Sequence, residues 1–210
     1  SDIAACGVQM VWENKTPSRM LTQEGNCVLN QEEAMLAIIE ESWLKQPVWY
    51  KLYKTALVRD ILFPVEKYHE DVFWSYQAVG KAQKVSVSDH IGYYYLQRGG
   101  SIMGAGYSLK RLDAVEAKVQ RCTYIQERFP ALSPLAVKDL WLACIYQGQL
   151  AMRTLGKAEA EKILAYFENL VETHPFQMEG CSLKERLWLN MAKSSLAVAC
   201  RIRNALKIGL

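Results

Sequence analysis

The stretch His69-Glu70-Asp71-Val72-Phe73-Trp74-Ser75-Tyr76-Gln77-Ala78-Val79-Gly80, followed by Lys84-Val85-Ser86-Val87-Ser88 and Ile91-Gly92-Tyr93-Tyr94-Tyr95-Leu96-Gln97, decides the reading of the first half of the chain. Val72, Phe73, Tyr76 and Val79 recur at spacings of three and four, which predicts a helix from about Glu70 to Val79 with Gly80 as its stop. The β-branched and aromatic runs behind it predict two short strands, 84–88 and 91–97, with Gly99-Gly100 as a flexible exit.

Working outward, Asp2 to Val11 is a short apolar segment that reads as a strand. Its outer edge needs either a partner from elsewhere in the chain or local protection. The polar stretch from Glu13 to Gly25, with Pro17, predicts a hairpin or excursion. Asn30 and Glu33 form a capping box for a helix running to about Trp43, and Pro47 closes that segment. Lys51 to Arg59 reads as another short helix before Phe63-Pro64 turns the chain.

From Ser108 onward the signals turn helical. Leu109, Leu112, Val115, Val119, Cys122 and Ile125 repeat at three or four residues, and Ser133-Pro134 reads as a cap followed by proline at the first helical position. Further helices are expected from Lys157 to Val171 and from Ser182, opened by a Ser182/Glu185 capping box, to about Leu206. The fold class is therefore α+β: a mixed first half, residues 1–104, and a mainly α-helical second half of four helices, residues 105–210.

Composition sets the bounds. In 210 residues, half are apolar or aromatic and the formal net charge is +3, so the chain can build a core and is not globally disordered. Residues 1–105 hold 10 Lys and Arg against 12 Asp and Glu; residues 106–210 hold 15 against 10. The basic excess is spread along helices, which argues for a solvated face over a nucleic-acid footprint and leaves room for weak attraction to an anionic surface. The six cysteines have no short ligand spacing, and Cys122, Cys144 and Cys200 sit in apolar stretches, as small buried hydrophobes of a reducing compartment do. No signal peptide opens the sequence, and its longest apolar run, Leu140 to Tyr146, is far short of the ~20 residues that cross a bilayer. The expected location is cytoplasmic, with attachment to the inner membrane face left open.

The chemistry-bearing residues cluster before residue 104. In His69-Glu70-Asp71 a carboxylate can take a proton from a sugar hydroxyl while its neighbour orients it, although acidic residues also favour a helix's first turn for electrostatic reasons alone. Tyr93, Tyr94 and Tyr95 alternate in direction on a strand, so either the outer two or Tyr94 borders a cleft, with Gln97 on the face of the outer two. Arg98 can grip a phosphate or a carbohydrate oxygen with its donor fork, or line an exposed sheet margin. Trp49 and Tyr53 offer aromatic surface and Lys51 or Lys54 a cation; the alternative is packing, with the lysine stems over apolar area and their charged ends in water. His69, His90 and His174 have no compact set of metal-ligand neighbours, and no phosphate loop, zinc motif or serine elbow occurs.

The ordered set Trp49-Tyr-Lys-Leu-Tyr-Lys54, Phe63-Pro64, Tyr68-His69-Glu70-Asp71, Tyr93-Tyr94-Tyr95-Leu-Gln-Arg98 and Ser101-Ile-Met103 resembles the later part of bacterial family 2 glycosyltransferases, over roughly residues 1–104. The opening Ser1-Asp2-Ile3-Ala4-Ala5-Cys6-Gly7 resembles the strand that follows their nucleotide-binding half. The resemblance implies a partial GT-A fold, followed here by the helical subdomain, in an enzyme that moves a sugar from a nucleoside diphosphate sugar to a carbohydrate or lipid-linked acceptor, commonly in surface polysaccharide synthesis. It implies Asp71 as the inverting general base, Glu70 as its neighbour, and Trp49, Lys51, His69, Tyr94, Gln97 and Arg98 as substrate contacts.

The same resemblance implies Mg2+ or Mn2+ held by an Asp-x-Asp motif, and no Asp-x-Asp occurs in these residues. The chain is accordingly expected to be a C-terminal fragment, inactive alone, with no cofactor or metal site of its own. Two further expectations are no nucleic-acid partner and a homo-oligomer contact through the helical region. The competing reading is a non-enzymatic protein-interaction module.

Overall fold

The computed structural model describes residues 1–13, 15–20, 25–97, 108–178 and 181–209. They form a mixed α/β region followed by a helical one, in two compact units, Ser1–Ala105 and Gly106–Leu210. The first unit runs β1 (Ile3–Val11), β2 (Ser18–Arg19), β3 (Cys27–Asn30), α1 (Gln31–Ile39), β4 (Lys51–Tyr53), α2 (Thr55–Val58), α3 (Glu70–Lys81) and β5 (Lys84–Leu96).

Its sheet has the order β2-β1-β5-β3, with β4 also on β1. β1 lies parallel to β5, and its other side is taken at one end by β4, in the register Ile3 to Tyr53 and Ala5 to Lys51, and at the other by β2. The open edge expected for β1 is thus closed by two later segments. Asp2 fastens the start of the pairing: its carboxylate accepts from Lys54 Nζ at 2.9 Å and from the amides of Gln83 and Lys84 at 2.8 and 3.2 Å. These donors hold the Asp2 carboxyl down at about 2.

Ile3, Val8, Val85 and Val87 of the sheet, Met35 and Ile38 of α1 and Phe73 and Val79 of α3 are buried, and α1 packs against both β5 and α3. The capping box of α1 forms as the sequence predicts: Glu33 N–H donates to Asn30 Oδ1 and Asn30 N–H to the Glu33 carboxylate.

Three local expectations give way to tertiary structure. Helix α1 ends at Ile39 rather than near Trp43, just before Glu41, which adopts a left-handed φ of 51°. Lys51-Leu52-Tyr53 forms a strand, not the start of a helix, because β1 offers a free ladder there and leaves only Thr55–Val58 helical. The two short strands beyond α3 are one 13-residue strand, β5, which takes up its extra length in register shifts against Ala5 to Val8. Gly80, expected as a stop, lies inside α3, where its carbonyl accepts from Gln31 Nε2 at 2.7 Å.

The second unit holds α4 (Asp113–Arg128), α5 (Ser133–Thr154), α6 (Lys157–Thr173), α7 (Leu183–Ser194) and α8 (Leu196–Ala205), with short 3-10 turns before α4 and α5. Helix α5 is the centre, packed by α4, α6, α7 and α8. The predicted Ser182 capping box opens α7. The single helix expected from Ser182 to Leu206 breaks at Ser195, whose extended backbone (φ −166°, ψ 112°) turns the chain and whose hydroxyl caps α8 by accepting from Val198 N–H. Ser133 is the first residue of α5 rather than its cap, a place held by Leu132.

Buried Arg121 of α4 and Lys118 both pair with Asp139 of α5. Burial alone would raise the Asp139 carboxyl, but the two cations hold it below the usual carboxylate range. Cys122, Cys144 and Cys200 are buried, as their apolar neighbourhoods predict. Among the described residues no helix is long and apolar enough to cross a membrane.

Candidate functional site

The loop between α1 and β4 carries a run of carbonyl groups that must find donors. Tyr50 hydroxyl donates to Lys45 O and accepts from Lys45 N–H at 2.7 Å. Lys51 turns its amine inward to donate to the carbonyls of Lys45 at 2.6 Å and Pro47 at 2.5 Å, with Nζ 4.0 Å from the Tyr50 ring centroid. Ser75 of α3 donates to Gln46 O at 2.6 Å, and Gln46 Nε2 to Ile38 O at 2.9 Å. The loop is stapled from both sides, which sets Trp49 in place at its end.

Lys51 therefore reverses the expectation that its charged end reaches water. It is 7% exposed while its neighbour Leu52 is 78% exposed, because three β4 residues must satisfy the ladder on β1 and the loop carbonyls lie on the inner side. Burial pushes the Lys51 amine down to about 7, against the upward pull of Asp71 and Glu41. Tyr53, two residues on, stacks edge-on against Trp74 at 4.9 Å. Burial also raises its hydroxyl, and the charges of Tyr50 and Asp71 add to that effect.

Asp71 sits in the first turn of α3. The N-cap is His69 in the left-handed region (φ 58°, ψ 39°), a conformation that costs a non-glycine residue roughly 1 kcal/mol, and its side chain makes no cap bond. The turn sends Glu70 into solvent and leaves Asp71 half-buried. Burial raises the Asp71 carboxyl above its ordinary range and the Glu70 charge raises it further; the Val72 amide, His69 and Lys51 pull it down without cancelling the rise. The result is a carboxylate with more proton affinity than a free aspartate, flanked by a second carboxylate that does not share its environment.

The end of the stapled loop carries an aromatic platform. The Trp49 ring lies 4.4 Å from Tyr93 and 4.8 Å from Tyr95, at interplanar angles of 34° and 30°, and meets Tyr50 edge-on at 5.6 Å. Of the two open arrangements of the tyrosine run, the structure has Tyr93 and Tyr95 turned to the covered face and Tyr94 turned out, 70% exposed. Gln97 follows Tyr93 and Tyr95 in the alternation, and its buried Nε2 has no hydrogen-bond partner among the described residues. Arg98 and Ser101 to Met103 lie outside the described residues.

Of the residues singled out in the sequence, Asp71, Glu70, His69 and Lys51 are thus linked electrostatically, and Lys51 reaches Trp49 through Tyr50. Tyr94 faces away from the platform. Tyr53, Tyr93 and Tyr95, which the sequence already offers as aromatic surface, complete the neighbourhood with Tyr50 and Ser75, which it does not single out. The period-two alternation of β5 is the signal that pairs Tyr93 with Tyr95; nothing local marks Ser75. The divalent ion that the resemblance implies finds no ligand set here: among the described residues no three His, Cys, Asp or Glu side chains are grouped to hold a metal. A scan against protein-family models finds no match for the chain, and a search of curated proteins finds none either.

Proposed function

We propose that residues 1–104 form the acceptor side of a GT-A-type glycosyltransferase, which moves a sugar from a nucleoside diphosphate donor to an acceptor hydroxyl, with its donor-binding elements outside these 210 residues. The observation that carries the reading is Asp71: a half-buried carboxylate in a helix's first turn, its proton affinity raised by burial, next to a solvent-facing Glu70. Asp71 takes the acceptor's hydroxyl proton as that oxygen attacks the anomeric carbon and the nucleoside diphosphate leaves, which inverts the configuration. Lys51 and the stapled loop hold the backdrop of the carboxylate rigid. The Trp49-Tyr93-Tyr95 platform offers flat apolar area suited to the C–H face of a sugar ring.

The test uses the full-length enzyme that carries these residues. Asp71→Asn keeps the volume and removes the base, so transfer falls by about 10²-fold or more while donor affinity stays within about twofold. Transfer equal to that of the unsubstituted enzyme overturns the role of Asp71. Failure of the folded full-length protein to bind any nucleoside diphosphate overturns the transferase reading itself. An interaction module built on an open β1 edge has less support, since β1 is paired on both sides.

A further inference from the structure

The last two helices concentrate charge and apolar surface in one place. Between Ser182 and Gly209 the chain carries Lys184, Arg186, Lys193, Arg201, Arg203 and Lys207 against a single acid, Glu185. Glu185 is already engaged by Lys138 of α5 at 3.1 Å, and none of the six cations forms an ion pair among the described residues. Arg203 is half-buried against Gln149 and Trp188; the other five are exposed.

The outer face of α8 carries an apolar stripe beside exposed Arg201. Its inner face buries Leu196, Ala199 and Cys200, and one hundred degrees of rotation per residue places Val198, Ile202 and Ala205 together on the opposite side, with Leu206 just past the helix end. Val198 is 43% exposed, Ile202 36% and Leu206 61%. Helix α7 repeats the pattern with Leu183 and Leu187, 85% and 57% exposed, flanked by Lys184, Arg186 and Lys193. Branched aliphatic side chains at helical spacing, edged by unpaired cations, is the composition of a helix that lies in a bilayer interface. At 10 residues α8 is only about 15 Å long, half the hydrocarbon thickness, so it is too short to span a membrane.

We infer that the exposed face of α7 and α8 docks on an anionic phospholipid surface, with Val198, Ile202 and Leu206 entering the headgroup boundary and the surrounding Lys and Arg meeting lipid phosphates. Charge selects this occupant. A twofold contact between copies of the chain would set this cationic surface against itself, since such an interface joins the same patch on both partners. Nucleic acid would take the cations but leaves the aliphatic stripe without a partner. Among the described residues, Glu161 and Glu168 of α6 line one groove with Ala197 and Arg201, and Glu168 and Glu172 line another with Lys193 and Leu196, so the Val198 and Ile202 side of α8, which lines neither groove, is the side that meets lipid. The inference rests on the second unit and is independent of the catalytic reading of the first.

Co-sedimentation of the whole 210-residue chain with vesicles tests it. Equimolar phosphatidylglycerol and phosphatidylcholine should bind the chain, pure phosphatidylcholine should bind at least about tenfold less, and 1 M salt, which cuts the screening length to about 3 Å, should weaken the binding. The exposed pair Val198→Asn and Ile202→Asn, with an unchanged circular dichroism spectrum, should weaken partition about tenfold or more. Lys184→Gln and Lys207→Gln should each cost about fivefold. No binding to the anionic vesicles, or equal binding by the Asn pair, overturns the proposal. So does a concentration-dependent dimer abolished by Ile202→Asn, or an oligonucleotide that binds this face in preference to lipid.

Discussion

Asp71 holds its charge where burial and Glu70 penalise it, and that has a consequence separable from turnover. A carboxyl whose folded-state affinity for protons is raised lowers stability once the solution is basic enough to ionise it. Asp71→Asn should therefore leave the urea midpoint at pH 7 unchanged or raise it, while transfer in the full-length enzyme falls by about 10²-fold or more. A residue serving only to favour the helix's first turn behaves the opposite way, because Asn loses its electrostatic attraction to the helix N-terminus. Equilibrium unfolding of the 210-residue chain thus separates the two roles that the sequence leaves open at this position.

Between elements, two contacts carry more than their size suggests. A methyl group on Gly7 of β1 would stand 2.7 Å from Asp89 O and 2.9 Å from His90 O, backbone atoms of β5 that cannot swing away. Gly7→Ala should force the parallel pair apart and cost roughly 1–3 kcal/mol, read as a lower urea midpoint with loss of amide protection along β1 and β5. In the helical unit Asp139 joins α4 to α5 by neutralising buried Arg121, whose Nε and one terminal nitrogen lack partners among the described residues. Asp139→Asn strands that guanidinium and should cost about 3 kcal/mol; hydrogen exchange should show the loosening in α4 and α5 first. The elements themselves were largely legible. The Asn30/Glu33 and Ser182/Glu185 boxes and the buried face of α3 are where their spacing predicts, since each involves residues within one turn. The break at Ser195 was not, because Leu196 continues the apolar periodicity and only packing against α5 asks for a turn.

At the scale of the molecule, the buried amine of Lys51 sets a pH trend. Below about pH 7 it is charged in both states, and its burial cost is fully present. From there toward pH 9 the unfolded chain keeps the proton that the folded one has released, so the unfolded state binds more protons and stability rises. Higher still, unfolded thiols and tyrosines ionise while burial holds back Cys122, pushed up to about 11, and Tyr50, so stability falls. Urea titrations across this range should show the rise, and Lys51→Met should flatten it between about pH 7 and 9. A rise that persists in the variant would assign it to another group. By itself the sequence determined the α+β class, the turn to helix after residue 108, the helix caps and most buried helical faces, because these follow from interactions within a few residues. It also marked Asp71 and Trp49 as positions of interest. Only the tertiary structure decided that Lys51 points inward, that β1 is closed on both sides, that β5 is one strand and that Tyr93 and Tyr95 flank Trp49. The pairing of β1 and the Trp49 contacts join residues dozens of positions apart, and Lys51 turns to the nearby carbonyls of Lys45 and Pro47 only where β4 is fixed on β1, so neither a strand's partner nor the surroundings of a buried charge is encoded in its immediate neighbours.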